Sequence, residues 1–263
     1  MFAVIAGTGF PASPAERATY APVRTPYGIA LLGRAVLDGR EVLLLERHGA
    51  LTNIPPHRVN YRANIAALRE AGATKVLATA SVGAINPAMQ PGTLAVLTQF
   101  IDATHGRADT FFDGSEGMPL HHPDMTDPYC PTLRGVLLRS GDRLGLDGVL
   151  HPAATYACTQ GPRFETPAEV TMLQRAGADV VGMTNVPEVV LAREAGLCYA
   201  AVAVLANWAA GLGGSPLSHH DIRAATARCA DQVRQLFAAV IAHGETACNC
   251  KGADWVDPLG VAP

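Results

Sequence analysis

The sequence predicts an α/β fold, a single domain built on a mixed, twisted β-sheet flanked by helices. Three observations carry that reading. Short apolar runs of strand length alternate with amphipathic stretches of helical length. Glycine, proline and asparagine punctuate the alternation where turns are needed. No repeat, low-complexity stretch or linker divides the 263 residues. The domain is expected over 1–244, and 245–263 is expected to be an irregular C-terminal tail.

The elements follow in order. Met1–Ala6 is an apolar run stopped by Gly7 and reads as a buried strand. Gly28–Val36 and Arg40–Leu45 are strands around a turn at Asp38-Gly39. His57–Ala71 sets Val59, Ile65 and Leu68 near one helical face, and Gly72 ends it. Lys75–Ser81 and Thr93–Leu97 are strands. Residues 103–131 lack apolar periodicity and read as a long loop, a feature often tied to function. Leu133–Leu144 is a helix and Thr155–Thr159 a strand. In the helix Thr166–Ala176, Thr166 is the N-cap, Pro167 takes the first position and Glu169 completes a capping box. Asp179–Met183 is a strand, Pro187–Ala195 a helix, Tyr199–Leu205 a strand, and Ser218–His243 a long amphipathic final helix.

Composition narrows the function. At 49% hydrophobic residues the chain has enough apolar side chain to offset the entropy of ordering, which excludes a disordered protein. A net charge of −3 lacks the basic excess of a nucleic-acid binder. No apolar run is long enough to cross a membrane, and no basic segment precedes the first apolar run, so a cytoplasmic protein is expected. Cys158, Cys198 and Cys229 sit in apolar or helical stretches, where a free thiol behaves as a small hydrophobe. Cys248-Asn249-Cys250 is a candidate metal or redox pair. It is weighed against a frayed tail carrying two thiols, and the frayed tail is preferred. His219-His220 and His121-His122 lack a third ligand at matching spacing, so no metal is expected.

Several polar motifs fall at strand ends, where α/β folds collect ligands. Gly7-Thr8-Gly9 with Ala12 matches a dinucleotide fingerprint, yet Pro11 and Pro14 make the required helix awkward. A backbone nest for an anion, or a plain tight turn, fits better. Arg47-His48 ends a strand and suits a phosphate. Asn60 to Asn64 opens a helix with three long polar groups, either a site or a solvated face. In Gly161 to Thr166, Phe164 suits stacking on a ring and Glu165 suits accepting from ring N–H groups. Met183 and Thr184 offer a sugar contact and an anion donor. Asn207 presents both a donor and an acceptor. There is no G-x-S-x-G elbow, Walker A loop or H-E-x-x-H. The inventory suits an enzyme that orients two bound reactants rather than attacking one.

Taken in order, AGTGF (6–10), ERHGALTNIPPHRVNYRANIAAL (46–68), ASVGAINPAMQPG (80–92), QFIDAT (99–104), TQGPRFETPAE (159–169) and VGMTNVPEVVLAREAGLCYAAVA (181–203) resemble one family. It is the trimeric purine nucleoside and methylthioadenosine phosphorylase group, and within it the S-methyl-5′-thioinosine (6-oxopurine) phosphorylases. The resemblance implies a phosphate site at Thr8, Arg47, His48, Ala80, Ser81 and Thr184. It implies substrate contacts from Phe164, Glu165, Met183, Asn207 and His220, with Asn207, Glu165 and His48 in the catalytic roles. Ala80 stands where many relatives carry Thr or Asn. Relatives that cleave adenine nucleosides carry T-D-x-D where this chain has Ala206-Asn207-Trp208-Ala209. The resemblance therefore implies phosphorolysis of methylthioinosine, inosine or guanosine, with methylthioadenosine as the alternative. It also implies a homotrimer, with the 107–113 loop reaching a neighbour, and inorganic phosphate as co-substrate with no cofactor.

Overall fold

The computed structural model describes residues 1–7, 18–49, 53–115, 117–213, 219–244, 247–248, 250–251 and 255–260, with only the backbone described over 219–223. The strands are β1 (Phe2–Ala6), β2 (Thr19–Thr25), β3 (Gly28–Leu37), β4 (Arg40–Glu46), β5 (Lys75–Ala84), β6 (Leu94–Ala103), β7 (Leu150–Thr159), β8 (Val180–Gly182) and β9 (Cys198–Trp208). The helices are α1 (Tyr61–Glu70), α2 (Pro131–Arg143), α3 (Pro167–Arg175), α4 (Asn185–Glu194) and α5 (His219–His243).

The strands form one mixed sheet in the order β2-β3-β4-β1-β5-β8-β7-β6-β9, and β9 returns to pair with β5. That return closes β5, β8, β7, β6 and β9 into a ring. β5 is the hub. It pairs with β1 over its first residues and with β9 along its whole length, both parallel. Its last two residues pair antiparallel with β8. Nearly every residue of β1, β5 and β9 is buried, as expected of strands covered on both faces.

Helices cover two faces. Ile65 and Leu68 of α1 and Val189 and Leu191 of α4 are buried in one core with Ile5, Leu43 and Ala78 of the sheet. Leu133 and Leu137 of α2 and Leu236 and Phe237 of α5 fill the other core with Phe2, Leu77 and Val202. Burying one such side chain fully is worth about 1.5–3 kcal/mol, so these stripes hold the layers together. α3 closes a smaller cluster with Val170 and Leu173 against Ile85 and Val181.

Local chemistry fixes the helix starts. Thr166 accepts from the Glu169 N–H and the Glu169 carboxylate accepts from the Thr166 N–H, the expected capping box. α1 starts at Tyr61 rather than His57, because Asn60 caps it by accepting from the Ala63 N–H at 3.1 Å. Pro56–Arg58 form a separate 3-10 turn before it. In α4 Val186 is non-helical (φ −112°, ψ 129°), so regular helix begins at Pro187, where proline fits the first turn. β2 is a strand that the apolar pattern does not show. It lies at the sheet edge, is largely exposed and carries Pro22, all of which edge strands tolerate.

Residues 104–130 contain no helix or strand among those described, as the sequence implies. The loop is nonetheless anchored. Phe111 is fully buried, and Glu194 accepts from its N–H at 2.7 Å and from the Thr110 hydroxyl at 2.8 Å. Burial raises the Glu194 carboxyl above its ordinary pKa, and these two donors partly offset the rise. The described part of the tail also packs on the domain. The Trp255 indole N–H donates to the Glu194 carbonyl at 3.0 Å, and Leu259 meets the first core.

Candidate active site

The ends of β4, β5, β8 and β9 and the loop after β7 meet around one cavity. Arg47 and His48 come from the turn just after β4, and Ser81, Val82 and Gly83 from β5. Phe164 and Glu165 come from the loop after β7, Met183 and Thr184 from the turn into α4, and Asn207 from the end of β9. Segments scattered through the sequence are thus brought to one place, including eight of the residues singled out above.

The register of β9 on β5 slips between Val82 and Gly83, and this seats Asn207 directly across from Gly83. A bulge next to a site re-aims side chains in this way. Glycine suits position 83, because a Cβ would stand 3.1 Å from the Ala209 Cα, a contact tight enough to push that backbone by a few tenths of an ångström. The Asn207 amide nitrogen donates to the Trp208 carbonyl at 2.6 Å. Glu165 is buried, and its carboxylate accepts from the Thr159 hydroxyl at 2.5 Å. Phe164 is 37% exposed, a large apolar ring left at the cavity's edge that offers a flat face.

Arg47 is 1% exposed and tightly held. Its Nε and Nη2 donate to the two oxygens of Glu188, each at 2.7 Å, and its Nη1 donates to the Thr79 carbonyl at 2.8 Å. Burial opposes the charge, but the attraction of Glu188 and its hydrogen bonds outweighs this and holds the guanidinium above its ordinary pKa. One hydrogen on each terminal nitrogen has no partner among the described residues, and these are what Arg47 can offer a ligand. The network continues below the cavity. Tyr199 donates to Glu188 at 2.6 Å, Asn185 donates to the Tyr199 oxygen at 3.1 Å, and Tyr129 donates to Asn185 at 2.6 Å. The Thr184 N–H donates to the Tyr156 hydroxyl at 3.1 Å. Burial pushes the tyrosines at 129, 156 and 199 well above the usual phenol pKa, so they act as neutral donors and acceptors.

His48 is oriented by its own loop. Its Nδ1 lies 2.8 Å from the Ile54 carbonyl, and the Ile54 N–H donates to the His48 carbonyl at 2.8 Å. A carbonyl only accepts, so Nδ1 carries the proton.

Ala80 is buried in β5 behind the cavity and does not line it. Thr8 and the His220 side chain lie outside the described residues.

Two residues without an assigned role from the sequence prove central. Glu188 was visible in the strand–loop–helix motif, and the signal that it matters is that a buried arginine needs a counter-charge. Arg107, in the long loop, reaches into its own chain. It donates to the carbonyls of Gln160, Met183 and Val186 at 2.9, 2.9 and 2.5 Å, and to that of Thr159 at 3.2 Å. It thereby ties the Glu165 loop to the Thr184 turn.

Comparison with known proteins shows the family to which the chain belongs. The model of the phosphorylase superfamily matches residues 2–242. A 6-oxopurine nucleoside phosphorylase of Pyrococcus furiosus is 43% identical, over 95% of this chain and 96% of its own. A Methanopyrus kandleri protein named as a probable S-methyl-5′-thioinosine phosphorylase is 46% identical, over 80% and 79%. Among solved structures, a methylthioadenosine phosphorylase from Schistosoma mansoni in complex with adenine superposes with a TM-score of 0.84 at 30% identity, covering 94% of this chain and 93% of that one. The match spans nearly the whole domain, and the chain belongs to the phosphorylase superfamily.

Proposed function

We propose that the protein catalyses phosphorolysis of 6-oxopurine nucleosides, S-methyl-5′-thioinosine, inosine or guanosine, yielding the free base and a pentose 1-phosphate. The observation that carries this is the pair Asn207 and Glu165 in one cavity with Arg47, His48 and Thr184. An amide beside a carboxylate suits the edge of a 6-oxopurine. Asn207 donates to O6 and accepts from N7–H, and Glu165 accepts from N1–H. An Asp at position 207 would set acceptor against acceptor at O6, at a cost of about 1–3 kcal/mol. The 43%-identical relative bears a 6-oxopurine name, which supports the same reading.

In the mechanism, phosphate oxygen bonds to C1′ while the bond from C1′ to N9 breaks, through an oxocarbenium-like transition state. Arg47, His48, Ser81 and Thr184, with Thr8, hold the dianion beneath the sugar. Its negative charge faces the positive charge that develops there. Asn207 and Glu165 stabilise the departing purine, an interaction that grows as the bond breaks and so raises the rate. Phe164 and Met183 pack on the base and ribose, and His220 meets the 5′ substituent. Phosphate is the co-substrate, and the chemistry calls for no metal or cofactor. The proposed setting is the cytoplasm and the proposed assembly a homotrimer, which light scattering measures directly.

The test is the initial rate of base release, with and without phosphate, across methylthioinosine, inosine, guanosine, adenosine and methylthioadenosine. Phosphate-dependent cleavage of the 6-oxopurines alone supports the reading. Preferred cleavage of methylthioadenosine overturns the base assignment.

A further inference from the structure

We propose that Cys130, Cys198, Cys248 and Cys250 form a closed tetrathiolate site for one soft divalent ion, Zn²⁺ by its chemistry, which staples the C-terminal tail to the domain. The four Sγ atoms all lie within 4.8 Å of one another. They come from three separate places: the N-cap of α2, the first residue of β9, and the Cys-x-Cys of the tail. A zinc ion with four sulfurs at about 2.3 Å in a tetrahedron sets each sulfur pair about 3.8 Å apart, within that limit. The closest pair, Cys198 and Cys248, is 2.6 Å apart, nearer than the spacing around a bound ion, so these two sulfurs must part by about 1 Å to take one.

The convergence is particular to these four. Cys158 and Cys229 are also buried, but they meet backbone carbonyls rather than other sulfurs: Cys158 those of Val186 at 3.4 Å and Thr159 at 4.0 Å, and Cys229 that of Gly92 at 3.6 Å. The cluster is held by rigid elements and largely sealed. The Cys130 N–H donates to the Tyr199 carbonyl at 2.7 Å, locking the start of α2 onto β9. Cys130, Cys198 and Cys250 are buried and Cys248 is half-buried. Four sulfurs with no position left over make a structural rather than a catalytic site.

The surroundings suit the negative charge of a metal–tetrathiolate. The Leu133 N–H donates to the Cys130 sulfur at 3.4 Å, at the positive end of α2. Lys75 is 4% exposed and sits directly across from Cys198 in the parallel β5–β9 register, which puts its ammonium on the same sheet face. Cys198 opens β9 and Asn207 lies near its end, so the cluster is about 30 Å along the strand from the cavity. Metal loss should therefore loosen the tail without touching a residue that meets substrate. The frayed-tail reading of the sequence missed this because the partners of Cys248 and Cys250 are 50 residues or more away.

The test uses the full chain, purified under reducing conditions after growth with added zinc. The expected result is one zinc per chain, with X-ray absorption showing four sulfur neighbours at about 2.3 Å. C248S and C250S should lower zinc content at least tenfold, whereas C229S leaves it unchanged. Chelation should lower Tm and expose the chain near residue 250 to protease. Should the reduced wild-type protein take up neither Zn²⁺ nor Co²⁺ in a titration, the proposal fails. It fails equally if the cysteines are recovered as disulfides that bind no metal after reduction, or if the C248S/C250S double variant retains full zinc.

Discussion

Arg47 and Glu188 face each other in a double hydrogen bond, both contacts 2.7 Å, with side chains 1% and 2% exposed. This relationship decides how the cavity can hold an anion. On the proposed reading, Arg47 would meet phosphate with its charge already balanced, through the one hydrogen left on each terminal nitrogen. Replacing Glu188 by Gln keeps the shape and removes the counter-charge. Breaking a buried pair costs about 3–5 kcal/mol. At this chain length that lowers Tm on the order of 10 °C. Because phosphate would supply the missing charge, added phosphate should raise the Tm of E188Q by more than it raises that of the wild type. Calorimetry across a phosphate series checks this, and equal shifts in the two proteins would count against Arg47 as a phosphate ligand.

In the proposed reaction, Asn207 selects the base. N207D should lower kcat/KM for inosine by roughly 5- to 150-fold, the span of 1–3 kcal/mol for an unmade hydrogen bond. It should also raise the ratio of adenosine to inosine cleavage, because a carboxylate accepts from a 6-amino group. The two rates measured side by side give the answer, and an unchanged ratio would remove Asn207 from the base edge.

The fold was legible where one local signal dominates. The all-apolar β1, the capping box of α3 and the alternation of strands and helices are patterns of neighbouring residues. β2 was not legible, because an exposed edge strand with a proline in it has no buried face to write into the sequence. The site was legible as a set of motifs at strand ends, and Arg47, Ser81, Glu165, Thr184 and Asn207 do meet at one cavity. Pairings across long stretches of chain were not. Arg47 and Glu188 are 141 residues apart, and only the folded sheet brings them together. The same holds for the four clustered cysteines and for Arg107.

Arg107 is a positioning residue. Its fork joins four backbone carbonyls of the two segments that carry Glu165 and Thr184. Lysine has a single ammonium and cannot span them. R107K and R107A should both raise KM for nucleoside, while fluorescence from a bound substrate analogue reports weaker binding. Leaving such acceptors unmade costs about 1–3 kcal/mol each when buried, so Tm should fall as well. A lysine variant with wild-type KM would show that the clamp does not set the loops.

Gly182 tests the turn beneath Thr184 from another direction. A Cβ on Gly182 would collide with the Tyr156 hydroxyl, which accepts the Thr184 N–H. G182A must therefore push Tyr156 aside, and overpacking of this kind costs about 1–3 kcal/mol. Y156F removes the same hydroxyl without a clash and leaves the Thr184 N–H unpaired. If Thr184 holds phosphate, both variants should raise KM for phosphate more than KM for nucleoside, with G182A the less stable of the two. Initial rates with each substrate varied in turn separate the effects. A rise confined to nucleoside KM would place Thr184 on the sugar instead, since the same backbone shift reaches whichever ligand its hydroxyl meets.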